Sequence, residues 1–406
     1  MTASQIAAES QPPGGDSVLR HFRGGWGAYL LLSLLLLAPC YWQPIAHGGD
    51  LEHYMSNAWL PRYIETGASS GHVTVDQSSY VLFGLMRESL NHIVGAEFAL
   101  RFSVSITVLI LIWGAFAFVG AVSGRRPWHL LASIAMLAYG WDFHMGFYGF
   151  CLSLGLCFWA LSLAWESKPR TAPAAAALLA LAFTASALPV AWTLLLLGYV
   201  WAARRVSAAR RAYVIAAGVP LLALTLLAVR STGLTQASPQ QLAVTAGAAD
   251  QVWTFGSKYY LVLAGLLALW STLFLDLLHR RGIRDVVTGI PFQLCIMAAA
   301  AVFALPITTK IPGLHHALVF VGERMSLGVA VCVCALLGAA PPRKIERYGL
   351  VAVALAFFSL IYIDERAQNS AVERMQGNVA RFSAPSMPAG FQPARILMAN
   401  RKADVR

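Results

Sequence analysis

The sequence predicts an all-α polytopic membrane protein with about 11 transmembrane helices, a cytoplasmic N-terminus and an outer C-terminus. Its composition is the first reason: 58% of the 406 residues are hydrophobic and only 12% are charged, and the mean hydropathy is +0.61. This is more apolar surface than a soluble core can bury. Apolar runs of membrane-spanning length also recur along the chain, and because they are continuous they exclude the alternating pattern of a β-barrel.

The predicted helices are the apolar runs that lie between helix-breaking residues. They lie near residues 26–44, 103–123, 128–141, 147–165, 172–187, 188–203, 213–230, 258–278, 286–305, 322–340 and 348–363. The third, fifth and sixth segments are short or share one apolar stretch with a neighbour. All six cysteines fall within or at the ends of apolar segments, which predicts buried packing residues and not a disulfide framework.

The loops differ in charge on the two sides of the membrane. One side carries the basic residues Arg20, Arg23, Arg125, Arg126, Lys168, Arg170, Arg204, Arg205, Arg210, Arg211, Arg280, Arg281, Arg284, Arg343, Lys344 and Arg347. Before the C-terminal tail, the other side has far fewer: Arg62, Arg87, Arg101, Arg230, Lys258, Lys310 and Arg324. The basic side is therefore predicted to face the cytoplasm from a plasma (inner) membrane. The net charge of +11 then indicates contact with membrane lipids, and no nucleic-acid partner is expected.

This orientation divides the chain into three parts. They are a cytoplasmic segment (1–24), a transmembrane domain (25–364) that includes an outer loop (46–102), and an outer C-terminal tail (365–406). In the loop, helical spacing predicts an amphipathic helix on the membrane surface, formed around Leu51, Tyr54, Ala58, Trp59 and Tyr63. A second is predicted from Ser79 to Leu100, with Tyr80, Phe83, Met86, Leu90 and Ile93 on one side.

The start of the outer loop combines acids, a histidine and an aromatic residue at a membrane surface. Asp50, Glu52, His53 and Tyr54 follow two glycines immediately after the first predicted helix. A carboxylate there can act as a general base toward an acceptor hydroxyl or amine, which makes Asp50 and Glu52 catalytic candidates. His53 and Tyr54 are candidates for contacting substrate or a metal ion. The alternative for Asp50 is a polar helix cap at the interface.

A second acidic position lies in the short outer turn between the third and fourth predicted helices. Asp142 and His144 occur in the aromatic-rich sequence Gly-Trp-Asp-Phe-His-Met-Gly. Asp142 could act as a second catalytic carboxylate, and both residues could help to hold a divalent cation. The alternative is a solvated interfacial turn, since Asp-x-His alone is a weak metal signal. Whether a cofactor is needed is left open by the sequence.

Cations at outer helix ends are candidates for binding a phosphate group. Arg101 ends the outer loop, and its guanidinium could bind a phosphate through two hydrogen bonds. Lys258 and Arg324 are further phosphate-binding candidates, and His315 is a further candidate for contacting substrate or metal. The alternative for each cation is an interfacial anchor whose charged end snorkels to water. No Walker loop, Rossmann fingerprint, His-Glu-x-x-His pair or nucleophile elbow is present.

The first 165 residues resemble the GT-C superfamily of membrane glycosyltransferases, which includes protein O-mannosyltransferases and lipid A aminoarabinose transferases. The resemblance consists of one N-in helix, the sequence Asp50-Leu51-Glu52-His53-Tyr54, the sequence Tyr63-Ile64-Glu65-Thr66-Gly67, and the sequence Gly95 to Arg101 that leads into the second helix. It implies that Asp50 is the catalytic acid, that Arg101 contacts the donor phosphate and that Asp142 is a second acid. Leu51 separates Asp50 from Glu52, whereas many relatives have adjacent Asp-Glu.

The resemblance implies an inverting glycosyltransferase that uses a polyprenyl-phosphate sugar as donor at the outer face of the plasma membrane. The acceptor could be a lipid, a glycan or a protein. Three alternatives stay open: a transporter or flippase of lipid-linked saccharide, which would need ionisable residues near the middle of the membrane, an O-antigen-type ligase or polymerase, and a non-catalytic membrane scaffold. Ligases of that type usually carry their long outer loop late in the chain, whereas here the long loop comes first.

Overall fold

The computed structural model describes residues 26–43, 81–165, 169–207, 251–304 and 318–382, with isolated positions between 210 and 248 and at 308–309. These parts are almost entirely helical. The helices are α1 (Trp26–Leu37), α2 (Pro39–Trp42), α3 (Val81–Val94), α4 (Ala96–Ser123), α5 (Leu131–Ala138, after a 3-10 turn at Trp128–Leu130), α6 (Trp141–His144), α7 (Tyr148–Trp165), α8 (Ala172–Ala185), α9 (Ala187–Arg205), α10 (Tyr259–Arg281), α11 (Ile283–Val287), α12 (Ile290–Ala304), α13 (Val321–Leu337) and α14 (Lys344–Phe382).

The described part is an all-α fold, apart from one small sheet that the sequence did not predict. Its antiparallel strands have two residues each: β1 (Thr235–Gln236), β2 (Thr308–Thr309) and β3 (Leu318–Val319). The strand β2 is central, because Thr308 pairs with both Gln236 and Val319. β3 leads through Phe320 directly into α13, so this sheet lies beside the start of that helix.

Long apolar helices are present as predicted. Five of the described helices contain stretches that are long and apolar enough to cross a membrane, namely Phe98–Ser123, Tyr148–Trp165, Ala187–Arg205, Tyr259–Arg281 and Lys344–Arg374. Each of the predicted segments contains a helix in the structure except 213–230, most of which lies outside the described residues. Large apolar side chains also point outward, among them Trp26, Leu195, Leu261 and Tyr348, as expected where lipid is the solvent. The total of 11 spans and their sidedness stay predictions.

Two predicted boundaries need correction. The second helix was expected to begin at 103, but α4 begins at Ala96, because Gly95 has a left-handed backbone (φ 82°) that ends α3 and turns the chain directly into α4. Arg101 is therefore inside a helix and does not end a loop. The last helix was expected to end at 363, but α14 continues to Phe382, so the boundary predicted between the membrane domain and the tail falls within one helix.

Contacts at the helix termini define two ends of the bundle. At the Arg125 end, the Arg125 guanidinium donates to the carbonyls of Gly338 (2.7 Å) and Ala340, and Arg204 donates to the Trp165 carbonyl. At the Asp142 end lie Trp42, Tyr139, Lys258 and Asp364. Four of the basic residues predicted to be cytoplasmic, Arg125, Arg204, Arg280 and Arg343, lie at the Arg125 end, opposite Asp142.

The core of the bundle is the crossing of α4 and α7, which is close because both helices have glycine at the contact. A Cβ atom on Gly114 would lie 2.4 Å from the Gly155 carbonyl oxygen, and one on Gly155 would lie 2.7 Å from Leu111 Cα. The two backbones therefore touch, which is a common way for membrane helices to gain packing contacts. This crossing fixes the start of α7 and with it the turn that carries Asp142.

Candidate functional site

Asp142 lies on the short helix α6, within the turn that joins α5 to α7. Its side chain is buried, with the residue 1% exposed. The Asp142 carbonyl accepts a hydrogen bond from the Phe147 amide (3.1 Å), which closes the turn. A solvated turn, one of the alternatives that the sequence allowed, is therefore wrong for Asp142. A buried carboxylate at a helix-bundle end is the kind of group that needs either a partner or a substrate to stabilise it.

Gln251 bridges this turn to the start of α13. Its backbone oxygen accepts a hydrogen bond from Trp141 N (3.0 Å), and its side-chain oxygen accepts one from Asp142 N (3.4 Å). Its side-chain amide donates to the Glu323 carbonyl (3.0 Å) and to Ser326 Oγ (3.0 Å). Gln251 is fully buried, so both ends of its amide group are used to join two distant segments.

Arg324 brings a positive charge to the same place. Its guanidinium lies 3.6 Å from the centre of the Phe147 ring, and Phe147 is the residue whose amide binds the Asp142 carbonyl. A cation–π contact of this kind holds a guanidinium in place over an aromatic ring. Asp142 and Arg324 are both buried, 1% and 8% exposed, and both belong to or contact the turn that leads into α7, so an acid and a cation share one buried region.

Aromatic rings surround this region. The rings of Trp141, Phe147 and Phe320 lie within 5.5 to 6.3 Å of one another, centre to centre. Phe320 has a left-handed backbone (φ 58°), and it directly precedes the helix that carries Glu323 and Arg324. A left-handed conformation costs a non-glycine residue about 1–2 kcal/mol, and backbone strain of this kind clusters at functional sites.

Glu323 is a further acid in this region, and the sequence does not mark it as a site residue. Both of its carboxylate oxygens are buried and have no hydrogen-bond partner among the described residues. Its only sequence signal was its position next to Arg324. Gln251 was missed altogether, because no motif marks it and its contacts are with residues far away in the chain.

A second polar cluster lies beside the first at the Asp142 end. Glu365 of α14 accepts a hydrogen bond from Trp42 Nε1 (2.5 Å), and its other oxygen lies 3.8 Å from His144 Nδ1. Next to it, Asp364 pairs with Lys258 and accepts a hydrogen bond from the Tyr259 hydroxyl (2.7 Å). This cluster fastens α14 to α2, α6 and α10.

His144 and Lys258 therefore have structural partners in this cluster. The His144 side chain is only 8% exposed, and its ring packs against Phe143 and Phe255. Burial lowers the pKa of His144 to about 3, although the backbone of Tyr139 and the charge of Asp364 both favour the protonated form. His144 is thus neutral near pH 7, and Lys258 would have to leave Asp364 to bind a phosphate.

Arg101 lies in the second turn of α4, close to the end of the first helices. The Ser105 hydroxyl donates to the Arg101 carbonyl (2.7 Å) and lies 3.1 Å from the Tyr41 hydroxyl. The neighbouring Cys40 Sγ lies 3.2 Å from the Tyr139 hydroxyl, at the end of α5. These contacts place Arg101 at the same end of the bundle as Asp142.

The remaining predicted site residues fall in parts of the chain that the structure does not describe: Asp50, Glu52, His53, Tyr54 and His315. Within the described ranges, no group of three His, Cys, Asp or Glu side chains is placed to hold a metal ion. The need for a divalent cation thus stays untested. In comparisons with known proteins, no family model, no curated protein and no solved structure matches this chain.

Proposed function

We propose that this chain is an inverting glycosyltransferase of the GT-C type. It would transfer a sugar from a polyprenyl-phosphate donor to a lipid, glycan or protein acceptor at the outer face of the plasma membrane. In this reaction the acceptor oxygen bonds to the anomeric carbon, the bond from that carbon to the phosphate oxygen breaks, and a carboxylate takes the acceptor proton. Polyprenyl phosphate leaves as an anion that nearby cations stabilise.

The observation that carries the proposal is that a buried acid and a buried cation lie in one region at one end of the bundle. Asp142 is buried in the turn between α5 and α7, and Arg324 is held over Phe147 of the same turn. Arg101 lies at this end, and α2, which precedes Asp50 in the sequence, also ends there. An inverting transfer needs a carboxylate and a phosphate-binding cation close together, and these elements supply both.

The contacts also rank the proposed phosphate ligands. Arg324 packs over the Phe147 ring in the same buried region as Asp142, and a guanidinium at this place suits an anionic ligand. Lys258 is already neutralised by Asp364. We therefore assign the phosphate contact to Arg324 and Arg101, leave Lys258 as a structural cation, and keep Asp50, with Glu52 beside it, as the proposed base and Asp142 as the second acid.

The test is transfer of radiolabelled sugar from polyprenyl phosphates in membranes that contain the chain. Asp142→Asn and Asp50→Asn should each lower the rate by about 100-fold or more, the usual size of a general acid–base contribution. Arg324→Gln should raise the donor concentration needed for half-maximal rate. Asp285→Asn is the matched control, because Asp285 is exposed at the opposite end of the bundle, and its rate should equal that of the wild type.

Two results would contradict the proposal. Equal transfer by the wild type and by both the Asp50 and Asp142 variants would remove these carboxylates from the mechanism. Movement of the labelled donor across the bilayer without any transfer to acceptor would favour a flippase.

A further inference from the structure

The contacts of Gln251 suggest a role beyond packing. This residue is the meeting point of two segments that are far apart in the chain: the Asp142 turn and the first turn of α13. It contacts the turn at two successive amides, those of Trp141 and Asp142, and contacts α13 at Glu323 and Ser326. An amide side chain suits this position because it accepts on one side and donates on the other.

The contact is also unusually close on the side of the turn. A Cβ atom on Gly140 would lie only 2.2 Å from the Gln251 carbonyl oxygen. Only glycine permits this approach, since real Cβ atoms do not come so near to a backbone oxygen. The turn thus packs directly against the backbone of Gln251, and a small displacement of Gln251 would move Asp142 with it.

Strained backbone lies on both sides of this contact. Among the described residues, Ala248 (φ 55°) and Phe320 (φ 58°) are the non-glycine residues with positive φ. Ala248 comes three residues before Gln251 in the sequence, and Phe320 comes three residues before Glu323. Surrounding contacts must hold such conformations in place, and the Gln251 hydrogen bonds join the two segments in which they occur.

We propose that Gln251 is a positioning residue, which holds the Asp142 turn against α13 so that Asp142 stays beside Arg324. The catalytic meaning of this role rests on the glycosyl transfer proposed above. Gln251 does not itself react; it acts through Asp142. Its removal should therefore lower the turnover of the enzyme only while Asp142 is present.

The experiment combines Gln251→Ala with Asp142→Asn in the full chain. Gln251→Ala alone should lower kcat by roughly 100-fold, the cost of misplacing a reacting group by about 1 Å, with a smaller change in KM. In the Asp142→Asn background it should lower kcat no further, because the two residues act as one unit. Gln251→Leu, which has a similar volume but can neither accept from Asp142 N nor donate to α13, should resemble Gln251→Ala.

Gln293→Ala is the matched control. Gln293 is also a fully buried glutamine with hydrogen bonds to other elements, from the Tyr199 hydroxyl (2.7 Å) and to the Val287 carbonyl (3.4 Å). Its loss should lower thermal stability without affecting kcat. If Gln251→Ala and Asp142→Asn prove additive, or if Gln293→Ala lowers kcat equally, the positioning role is refuted.

Hydrogen exchange tests the same inference without measuring activity. Peptides that cover residues 139–147 and 321–327 should exchange at least several-fold faster in Gln251→Ala than in Gln293→Ala. Unchanged exchange would overturn the proposed positioning. Faster exchange in a chain whose wild type transfers no sugar would overturn the glycosyltransferase proposal instead, while establishing that Gln251 positions the turn.

Discussion

His144 shows how a residue chosen for its chemistry can have a structural role. Its sequence context suggested contact with substrate or metal, yet its ring is buried between Phe143 and Phe255, and Glu365 lies beside Nδ1. Its Nε2 atom is also buried and has no hydrogen-bond partner within the described ranges. A ring enclosed in this way is stable only while it is neutral.

This enclosure predicts a pH-dependent stability. The pKa of His144 is about 3 in the folded chain, against an ordinary value of 6.5, so below pH 6.5 the unfolded chain takes up a proton that the folded chain does not. The contribution of His144 to the free energy of unfolding, measured as the difference between the wild type and His144→Gln, should therefore fall as the pH decreases from 6.5 toward 3, by up to about 1.4 kcal/mol per pH unit. Unfolding in detergent at several pH values would measure this decrease.

The contribution of His144 is isolated by comparing two variants. His144→Gln should flatten the pH dependence relative to the wild type. His92→Gln should leave it unchanged, because the His92 side chain is 70% exposed. Parallel pH profiles for the wild type and His144→Gln would contradict the assignment.

At the scale of elements, the close crossing of α4 and α7 predicts that alanine destabilises the chain at Gly155, which lies in the crossing, but not at Gly198, which lies outside it. Gly155→Ala should lower the free energy of unfolding by about 1–3 kcal/mol, the usual cost of overpacking, because its Cβ would meet the Leu111 backbone at 2.7 Å. Gly198→Ala in α9 should be neutral or stabilising by up to about 1 kcal/mol, since its Cβ would meet no atom within 4 Å. Thermal unfolding of both variants would check this, and an equal effect would refute the close crossing.

The sequence predicted the helices of the described part, including the amphipathic helix α3, better than it predicted the charged ends of α4 and α14. Arg101 and Glu365 were assigned to a loop and to a tail because charged residues do not suit the membrane interior. Both lie within helices, and Glu365 is satisfied there by Trp42 and His144. Partners that come from other helices cannot be read from local composition, so the start of α4 and the end of α14 could not be placed.

At the scale of the whole molecule, the sequence identified part of the candidate site but not what holds it together. Asp142 and Arg324 were selected from their position at predicted helix ends, and the structure brings them into one buried region. Gln251, which joins them, is separated from Asp142 by 109 residues. A contact over that distance depends on how the helices pack, and a single sequence has no signal for it.

The orientation of the bundle can be tested with two introduced cysteines. Ile93→Cys and Arg284→Cys would each place a thiol at an exposed position, one in the predicted outer segment and one in a predicted inner loop. Because all six native cysteines are buried, background labelling should be low. A membrane-impermeant maleimide should label Ile93→Cys in intact cells and Arg284→Cys only after permeabilisation. The opposite pattern would reverse the predicted topology.

The long helix α14 and the residue that precedes it are joined to α10 by one ion pair near each end of α10. Asp276 binds Arg343 (3.0 Å) at one end, and Lys258 binds Asp364 at the other, about 27 Å apart along α10 by helix geometry. Both ion pairs would break if one helix slid along the other or if the two helices separated. The two ion pairs thus set the register of α14 against α10, and any separation of helices that leaves both pairs intact must occur elsewhere in the bundle.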